Sequence, residues 1–200
     1  MSDFWNSRYA QEAYAYGIEP NVFYAEHLPT LSGKKILFVA EGEGRNAVYA
    51  AQQGYDVTAY DLSEQGQIKA LRLATQMNVT ITYHVGALDS LSLAPESFDG
   101  LVLVFAHFPA EIRKQEHHKL LSLLKPGGKI LFEAFAKTQL GNPSGGPKDA
   151  ALLFDEMEVR TEFTGIDFEL LETVEVDLDE GPYHQGKGNV VRCIGTKTAV

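Results

Sequence analysis

The chain has 200 residues and a formal net charge of −10, so it fits one domain of α/β size and is a poor partner for nucleic acid or an anionic membrane surface. Its single cysteine, Cys193, excludes an intramolecular disulfide, and its N-terminus lacks the basic and apolar segments of a signal peptide. No apolar stretch approaches the roughly 20 residues that cross a bilayer. We therefore expect one domain over residues 1–200, cytoplasmic, and either a monomer or a homodimer.

Strands and helices are predicted to alternate after a helix-like N-terminal segment, residues 10–28, which is broken near residues 17–20. Short apolar runs indicate the strands, and Ser63 is a good N-cap for one of the helices between them. The predicted strands are residues 34–39, 57–60, 80–84, 98–105 and 129–135. The predicted helices are residues 47–53, 64–77, 110–124 and 149–162.

The end of the chain differs, because residues 168–178 and 189–196 read as two strands with only a loop between them. Such a pair forms an antiparallel hairpin. The preceding alternation predicts a parallel sheet with helices on both faces. Ligands of open α/β sheets bind beyond the carboxyl ends of the strands, so we expect the functional residues there.

Two strand ends carry the pattern of a nucleotide site. The turn Glu41-Gly42-Glu43-Gly44-Arg45-Asn46 has glycines that let a ligand approach the backbone. Asp61, at the end of the next strand, is placed to accept hydrogen bonds from ribose hydroxyls. The combination indicates an adenosine-containing cofactor without choosing which one, while the closing hairpin and the lack of a second nucleotide-binding half favour a methyl donor over a dinucleotide.

Four stretches resemble motifs of the class I methyltransferases, in particular of their small tellurite-resistance-type branch. They are Gly42-Glu43-Gly44-Arg45-Asn46-Ala47, Val57-Thr58-Ala59-Tyr60-Asp61-Leu62-Ser63, Ser97-Phe98-Asp99 and Leu124-Lys125-Pro126-Gly127-Gly128-Lys129. The resemblance implies a Rossmann-like mixed sheet of seven strands in the order 3-2-1-4-5-7-6, with strand 7 antiparallel and helices on both faces. It also implies S-adenosyl-L-methionine as the cofactor, a core over residues 34–200 and a helical lid over residues 1–30.

The resemblance further implies contacts for the first two strand ends. Glu41, Gly42 and Gly44 would contact the amino acid part of the cofactor, with Asn46 in the same turn. Asp61 would bind the ribose.

The remaining strand ends would hold the adenine and the transferred methyl group, again by resemblance. Leu62 would pack on the adenine, and Leu88 would offer its backbone N–H to the adenine ring. Phe105 and His107 would line the methyl-transfer face.

This chain departs from the family pattern at several of these positions. Phe38 stands where the family usually has an acidic residue near the end of strand 1, and Ala40 stands where a glycine follows it. Ala87 aligns with a frequent adenine-contacting aspartate. Glu41 replaces a small residue, and we expect it to supply the missing carboxylate.

The loop between the last two strands, residues 179–189, is predicted to overhang the cofactor mouth and to face the methyl acceptor. It carries Tyr183 and His184, and His184 is a candidate general base, oxyanion ligand or hairpin cap. Lys148 follows strand 5 at the same edge and is a candidate to attract an anionic substrate. His107 is the fourth candidate for a catalytic role.

The predicted activity is direct methyl transfer to a small-molecule acceptor by a methyltransferase. Two alternatives stay open at this point, a nicotinamide-dependent oxidoreductase and a cofactor-binding protein of methyltransferase fold without activity. No metal site is expected, because the adjacent His117 and His118 point about 100° apart on a helix and cannot face one ion.

Overall fold

The computed structural model describes residues 2–199, which contain seven strands of one sheet. In chain order the strands are β1 Lys35–Val39, β2 Asp56–Asp61, β3 Thr82–Val85, β4 Phe98–Val104, β5 Leu124–Phe135, β6 Ile166–Asp179 and β7 Gln185–Lys197. Their order across the sheet is β3-β2-β1-β4-β5-β7-β6. Strands β1 to β5 are parallel, and β7 runs antiparallel to both β5 and β6. The predicted strand order and fold class are therefore confirmed.

Six α-helices flank the sheet in the described residues. They are α1 Ser2–Tyr9, α2 Val22–His27, α3 Arg45–Gln52, α4 Glu64–Gln76, α5 Ala110–Leu123 and α6 Glu156–Glu162. Helices α2, α3 and α4 pack on one face of the sheet, and α5 and α6 pack on the other.

Strand β1 shows why both faces need cover. Its residues Ile36 to Val39 are all buried, with Phe38 directed to the α2–α4 face and Leu37 to the α5–α6 face. Such an unbroken apolar run is typical of a parallel strand buried on both sides. Core packing on both faces thus holds the sheet in place. The loops that follow the strands form its carboxyl edge.

Two helix predictions were wrong in their bounds. The N-terminal helix ends at Tyr9 instead of starting near there, and the next helix starts at Val22, because the Asn21 side chain accepts from the Tyr24 N–H and caps it. The helix predicted over residues 149–162 is divided. Asp149 caps a short 3-10 turn, Ala150–Leu152, and Asp155 then forms a capping box with Glu158 that starts α6.

Candidate functional site

The turn after β1 is shaped by positive backbone angles at three of its residues. Ala40 has φ 51°, Gly42 has φ 61° and Gly44 has φ 88°. Gly44 precedes α3, and a Cβ on it would lie 2.5 Å from the Cβ of Ala70 on α4. The second glycine of the turn is therefore required by helix packing as well as by its backbone angle.

Asp61 ties the end of β2 to this turn. Its carboxylate accepts from the Gly42 N–H at 3.0 Å and from the Ser63 N–H at 2.9 Å, and the residue is 6% exposed. Burial raises the pKa of Asp61, although the backbone N–H groups of Ser63 and Gly42 oppose the shift. The two strand ends that were predicted to form the cofactor site are thus joined directly.

Glu41 is the second carboxylate at this edge. Its Oε1 accepts from the Ala47 N–H at 2.8 Å, in the first turn of α3. Burial raises the pKa of Glu41 to about 7, and the bonds from the backbone of α3 only partly offset the effect. A half-buried carboxylate with a raised pKa fits a cationic group of a ligand, because a nearby positive charge would favour its ionised form.

The N-terminal segment covers the turn. A Cβ on Gly42 would lie 2.6 Å from the Tyr9 hydroxyl, so only glycine allows the Tyr9 ring to sit there. The Trp5 ring stacks on Tyr9 with centroids 5.4 Å apart. Asn6 Oδ1 accepts from the Ser63 hydroxyl at 2.7 Å. Helix α1 therefore lies across the predicted ribose side of the site.

A buried ion pair holds the rest of this segment. Lys69 on α4 pairs with Glu43 of the turn, and its ammonium also donates to the carbonyls of Gln11 and Ala13. The Glu43 carboxylate accepts from the Ala15 N–H at 2.8 Å. Residues 10–15, although not helical, are consequently fixed against the cofactor turn by charge-assisted bonds.

The other predicted cofactor residues lie at the same edge with different surroundings. Leu62 is half-buried, Ala87 is exposed, and Leu88 is buried in the core. The Asn46 side chain is buried, and its Oδ1 accepts from the Asn21 N–H at 2.9 Å. Asn46 thus holds the N-terminal segment with its oxygen.

Phe105 marks the carboxyl end of β4. It has φ 53°, and its N–H donates to the Glu133 carbonyl on β5 at 2.7 Å. Its ring contacts those of Phe135 and His184, with both centroid distances at 4.6 Å. The unusual backbone angle turns the ring toward the hairpin loop, and a non-glycine residue in this conformation is typical of functional sites.

His107 lies two residues further, beside Phe135 and Phe154. Its Nδ1 bonds the Leu152 carbonyl at 2.8 Å, so Nδ1 carries the proton and Nε2 is an acceptor. Within residues 2–199, that buried Nε2 has no hydrogen-bond partner. Burial lowers the pKa of His107 to about 4, so the ring is neutral at physiological pH.

His184 is 5% exposed and lies in the same aromatic group. Its Nδ1 is 3.2 Å from Glu180 Oε2, and that carboxylate also accepts from Arg45 at 2.9 Å and from the Asn21 side chain at 2.9 Å. Burial alone would raise the pKa of Glu180, but the bonds from His184 and Arg45 lower it to about 2. We call Arg45, Glu180 and His184 the rim cluster.

The remaining two candidates differ in their contacts. The Tyr183 ring is covered by the Arg8 guanidinium, 3.8 Å from the ring centroid. Lys148 is exposed. The loop that carries it approaches the site through Gly145, where a Cβ would lie 2.8 Å from the His184 ring and 2.5 Å from the Tyr183 carbonyl. The structure therefore brings His184, Tyr183 and Phe105 to one place and leaves Lys148 at its border.

Three residues of the site were not predicted from the sequence: Asn21, Glu133 and Arg192. Asn21 donates to Glu133 at 2.6 Å, and Arg192 donates to the same carboxylate at 2.6 Å. With Glu180 and Arg45 they line a cavity of about 210 Å³ between the N-terminal segment and the hairpin. These residues come from distant parts of the chain, and none belongs to a recognisable motif.

Two negative findings apply to residues 2–199. No helix in that range combines the length and the apolar character needed to cross a membrane. In the same range, no three side chains of histidine, cysteine, aspartate or glutamate are grouped so that they can hold a metal ion.

The strand order defines the class I methyltransferase fold. The antiparallel β7, inserted between β5 and β6, separates this sheet from the dinucleotide-binding order 3-2-1-4-5-6. Residues 36–128 match the family described as "Methyltransferase domain". The resemblance to class I methyltransferases that the sequence motifs indicated is confirmed.

Two curated relatives show what the chain is similar to. A ubiquinone biosynthesis O-methyltransferase of Idiomarina loihiensis is 36% identical over 114 residues, which are 55% of this chain and 46% of that protein. A demethylmenaquinone methyltransferase of Renibacterium salmoninarum is 28% identical over 109 residues, 54% of this chain and 44% of the relative. The chain thus spans less than half the length of these relatives.

Solved structures extend the likeness to the whole fold. TehB from Haemophilus influenzae superposes with a TM-score of 0.73 at 18% identity, covering 98% of this chain and 67% of TehB. A structure from work on the conversion of a disulfide bond into a thioacetal group during echinomycin biosynthesis superposes with a TM-score of 0.78 at 17% identity, covering 99% and 92%. At these identities the likeness is one of fold.

Proposed function

We propose that this protein is an S-adenosylmethionine-dependent methyltransferase that acts on a small-molecule acceptor. The observation that carries the proposal is the pair of carboxylates, half-buried Glu41 and buried Asp61, at neighbouring strand ends of a methyltransferase fold. The similarity to methyltransferases of quinone biosynthesis supports an acceptor of small size.

The residues at the two strand ends have the chemistry that this cofactor needs. Asp61 accepts hydrogen bonds and suits ribose hydroxyls, and Glu41 suits the cofactor's ammonium group. When bound, S-adenosylmethionine supplies an activated methyl group, so most of the catalysis falls to positioning. Phe105 and its aromatic neighbours then line the acceptor side and exclude water from it.

Calorimetry with S-adenosylmethionine and S-adenosylhomocysteine tests the proposal. We expect both to bind, and Asp61→Asn to weaken binding about 10- to 150-fold, since a hydrogen bond to a charged group contributes about 1.5–3 kcal/mol. Asp167→Asn is the control, because Asp167 is exposed on β6. Absence of binding at millimolar ligand would overturn the proposal, and binding of reduced nicotinamide cofactor instead would favour an oxidoreductase.

We also propose that residues 1–200 act as one cytoplasmic methyltransferase domain, with residues 1–30 as its lid. The contact of Tyr9 with Gly42 supports the lid, because it places α1 over the turn that we expect to hold the cofactor. The chain has one tryptophan, Trp5, stacked on Tyr9, so its fluorescence reports on the lid directly. We expect S-adenosylhomocysteine to change that fluorescence; an unchanged spectrum at saturation would contradict the lid.

A further inference from the structure

The contacts of Glu180 decide which nitrogen of His184 carries the proton. Glu180 is an ionised carboxylate that is held on two further sides by Arg45 and Asn21. A carboxylate only accepts hydrogen bonds, so the His184 nitrogen that faces it, Nδ1, must be the donor. The other nitrogen, Nε2, then carries a free lone pair whenever the ring is neutral.

Packing holds the His184 ring in this orientation. The rings of Tyr16, Phe105 and Phe135 surround it at centroid distances of 4.5, 4.6 and 5.0 Å. On a further side, a Cβ on Gly145 would come within 2.8 Å of the imidazole. The ring is thus fixed beside Phe105, the residue that follows β4 at the carboxyl edge of the sheet.

We propose that His184 Nε2 is the general base of the reaction, that Glu180 is its positioning residue, and that the acceptor is therefore a protic nucleophile, a thiol or a phenolic hydroxyl. This inference rests on the proposed function. A chalcogen oxyanion has a free electron pair without losing a proton and needs no base. The same neutral Nε2 also lacks the hydrogen with which to bind an oxyanion.

Protons and electrons balance in the proposed methyl transfer. The S–H or O–H bond of the acceptor breaks, its proton moves to His184 Nε2, and the freed electron pair bonds the methyl carbon. The former sulfonium keeps the pair of the broken carbon–sulfur bond, so the products are the methylated acceptor, neutral S-adenosylhomocysteine and an imidazolium beside Glu180. The ion pair stabilises that imidazolium until solvent removes the proton.

Charged groups from several elements act on the His184 ring. Burial lowers the pKa of His184, and Arg45 from α3 and Arg8 from α1 act in the same direction, while Glu180 raises it. The Tyr16 ring contacts it directly, and the neutral His107 lies nearby, on the other side of Phe135. The balance keeps the base unprotonated at neutral pH, and the acid limb of activity should report its titration.

The first test needs no turnover. Nitrogen NMR of the histidine-labelled full chain, with His184→Gln to assign the signal, reports the tautomer and the pKa of His184. We expect an Nδ1–H tautomer, and a lower pKa of His184 in Glu180→Gln, which loses the carboxylate charge. Glu175→Gln removes a charge from the same hairpin at an exposed ion pair with Lys187 and should leave the signal unchanged. An Nε2–H tautomer would overturn the proposal.

The second test uses thiophenol, catechol and tellurite as acceptors, with calorimetric binding of S-adenosylhomocysteine measured on each variant. We expect His184→Gln to bind the cofactor normally, to lose the acid limb, and to lower kcat for thiophenol or catechol about 100-fold or more. Glu180→Gln should lower kcat more than it changes KM. If the cofactor binds and His184→Gln keeps its rate and pH profile, the inference fails alone; if the wild-type protein does not bind the cofactor, the proposed function fails.

Discussion

Two clusters in this protein have the same composition, a histidine ring and an arginine on one glutamate. They are the rim cluster, Arg45–Glu180–His184, and a helix cluster, Arg113–Glu162–His117. In the helix cluster, Glu162 accepts from Arg113 at 2.8 Å and contacts His117 Nδ1 at 2.8 Å, which is tighter than the 3.2 Å between His184 and Glu180. In both clusters, bonds from the histidine and the arginine lower the pKa of the glutamate against the effect of burial.

The surroundings of the two histidines differ. His117 lies on α5 and is fully buried on the side that faces α6, with its ring stacked on Phe163 at 4.5 Å and its Nε2 without a partner in the described part of the chain. His184 lies in a loop at the carboxyl edge, where ligands of this fold bind. The same pairing therefore supports packing in one place and, as we propose, chemistry in the other, so position and access separate the roles.

Two titratable groups of the site differ from these clusters, because neither forms an ion pair in the described residues. Glu41 has no hydrogen bond from histidine or arginine among residues 2–199, and burial raises its pKa to about 7. His107 has no carboxylate partner in that range, and burial lowers its pKa to about 4. The two glutamates with a histidine and an arginine partner are thus held in their ionised form, while Glu41 is not, so substitutions of Glu162 and Glu41 should have opposite effects on stability.

The largest effect is expected from Glu162→Gln, which breaks the helix cluster. Arg113 would keep its bonds to the Ala151 and Leu153 carbonyls, but its nearest carboxylate would be Glu158 at 3.4 Å, whose side chain is 31% exposed. Removing one partner of a buried ion pair costs about 3 kcal/mol of unfolding free energy. Urea denaturation measures the loss, and specific activity per folded molecule should stay unchanged.

The control for that substitution is Glu169→Gln. Glu169 pairs with Lys129 on the sheet surface and its side chain is 47% exposed, so we expect a loss below about 1 kcal/mol. Equal losses in the two variants would show that the helix cluster contributes no more than a surface pair and would remove the contrast drawn above.

The next effect is a pH dependence from His107. Because its pKa is lower in the folded than in the unfolded chain, the unfolded state binds more protons below about pH 6.5, and stability falls as the pH falls toward 4. His107→Gln keeps a donor for the Leu152 carbonyl and cannot titrate. From pH 7 to pH 4.5, wild type should lose about 2 kcal/mol relative to this variant.

Chemical denaturation at a series of pH values checks this difference. His118→Gln is the matched control, since His118 is exposed on α5. Its stability difference from wild type should not vary with pH. A flat difference for His107→Gln as well would mean that His107 is not held neutral by burial.

Glu41→Gln should stabilise the protein and weaken its proposed function. The folded pKa of Glu41 is raised, so ionised Glu41 destabilises the folded state at pH 8 and the penalty disappears as the pH falls below about 5. We expect the variant to be more stable at pH 8 by up to about 3 kcal/mol, and Gln still accepts from the Ala47 N–H there. Thermal unfolding at pH 8 and pH 5 measures it, with the exposed Glu26→Gln as control.

The same residue should make cofactor binding depend on pH. Protonation of Glu41 near pH 7 removes the charge that suits the cofactor's ammonium group, so affinity for S-adenosylhomocysteine should fall up to about 10-fold from pH 8 to pH 6. Glu41→Gln should bind more weakly at pH 8 and lose this dependence. An identical pH profile in both proteins would remove Glu41 from the site.

The sequence predicted what depends on local pattern. The apolar run of β1, the Ser63 cap and the closing hairpin set elements whose positions the structure confirms, and the resemblance to class I methyltransferases supplied the right strand order. The division of the helix predicted over residues 149–162 was missed, because the capping box at Asp155 competes with helix propensity. Helix propensity and a cap within the same segment favour different helix bounds, and both preferences are weak. Tertiary contacts decide between them.

The site was predicted less completely, for a physical reason. Strand ends are set by topology, so Asp61 and the Glu41 turn were found at the edge. The rim cluster joins Glu180 to Arg45 and Asn21, which are 135 and 159 residues away in the chain. No local periodicity encodes such pairs, and only the folded structure shows that His184 has a carboxylate partner.

The smallest effect is expected at Ala40, next to Glu41. Ala40 has φ 51°, a left-handed conformation that side chains with a Cβ rarely adopt, and the family pattern has glycine here. Ala40→Gly removes this strain of about 1 kcal/mol but adds freedom to the unfolded chain, so we expect a gain of only about 0.5 kcal/mol. Asn78→Gly, at φ 56° after α4, should gain less, because asparagine tolerates this conformation. Urea denaturation of both variants would show whether strain is concentrated at the functional edge; a loss of stability in Ala40→Gly would mean that the turn is held without strain.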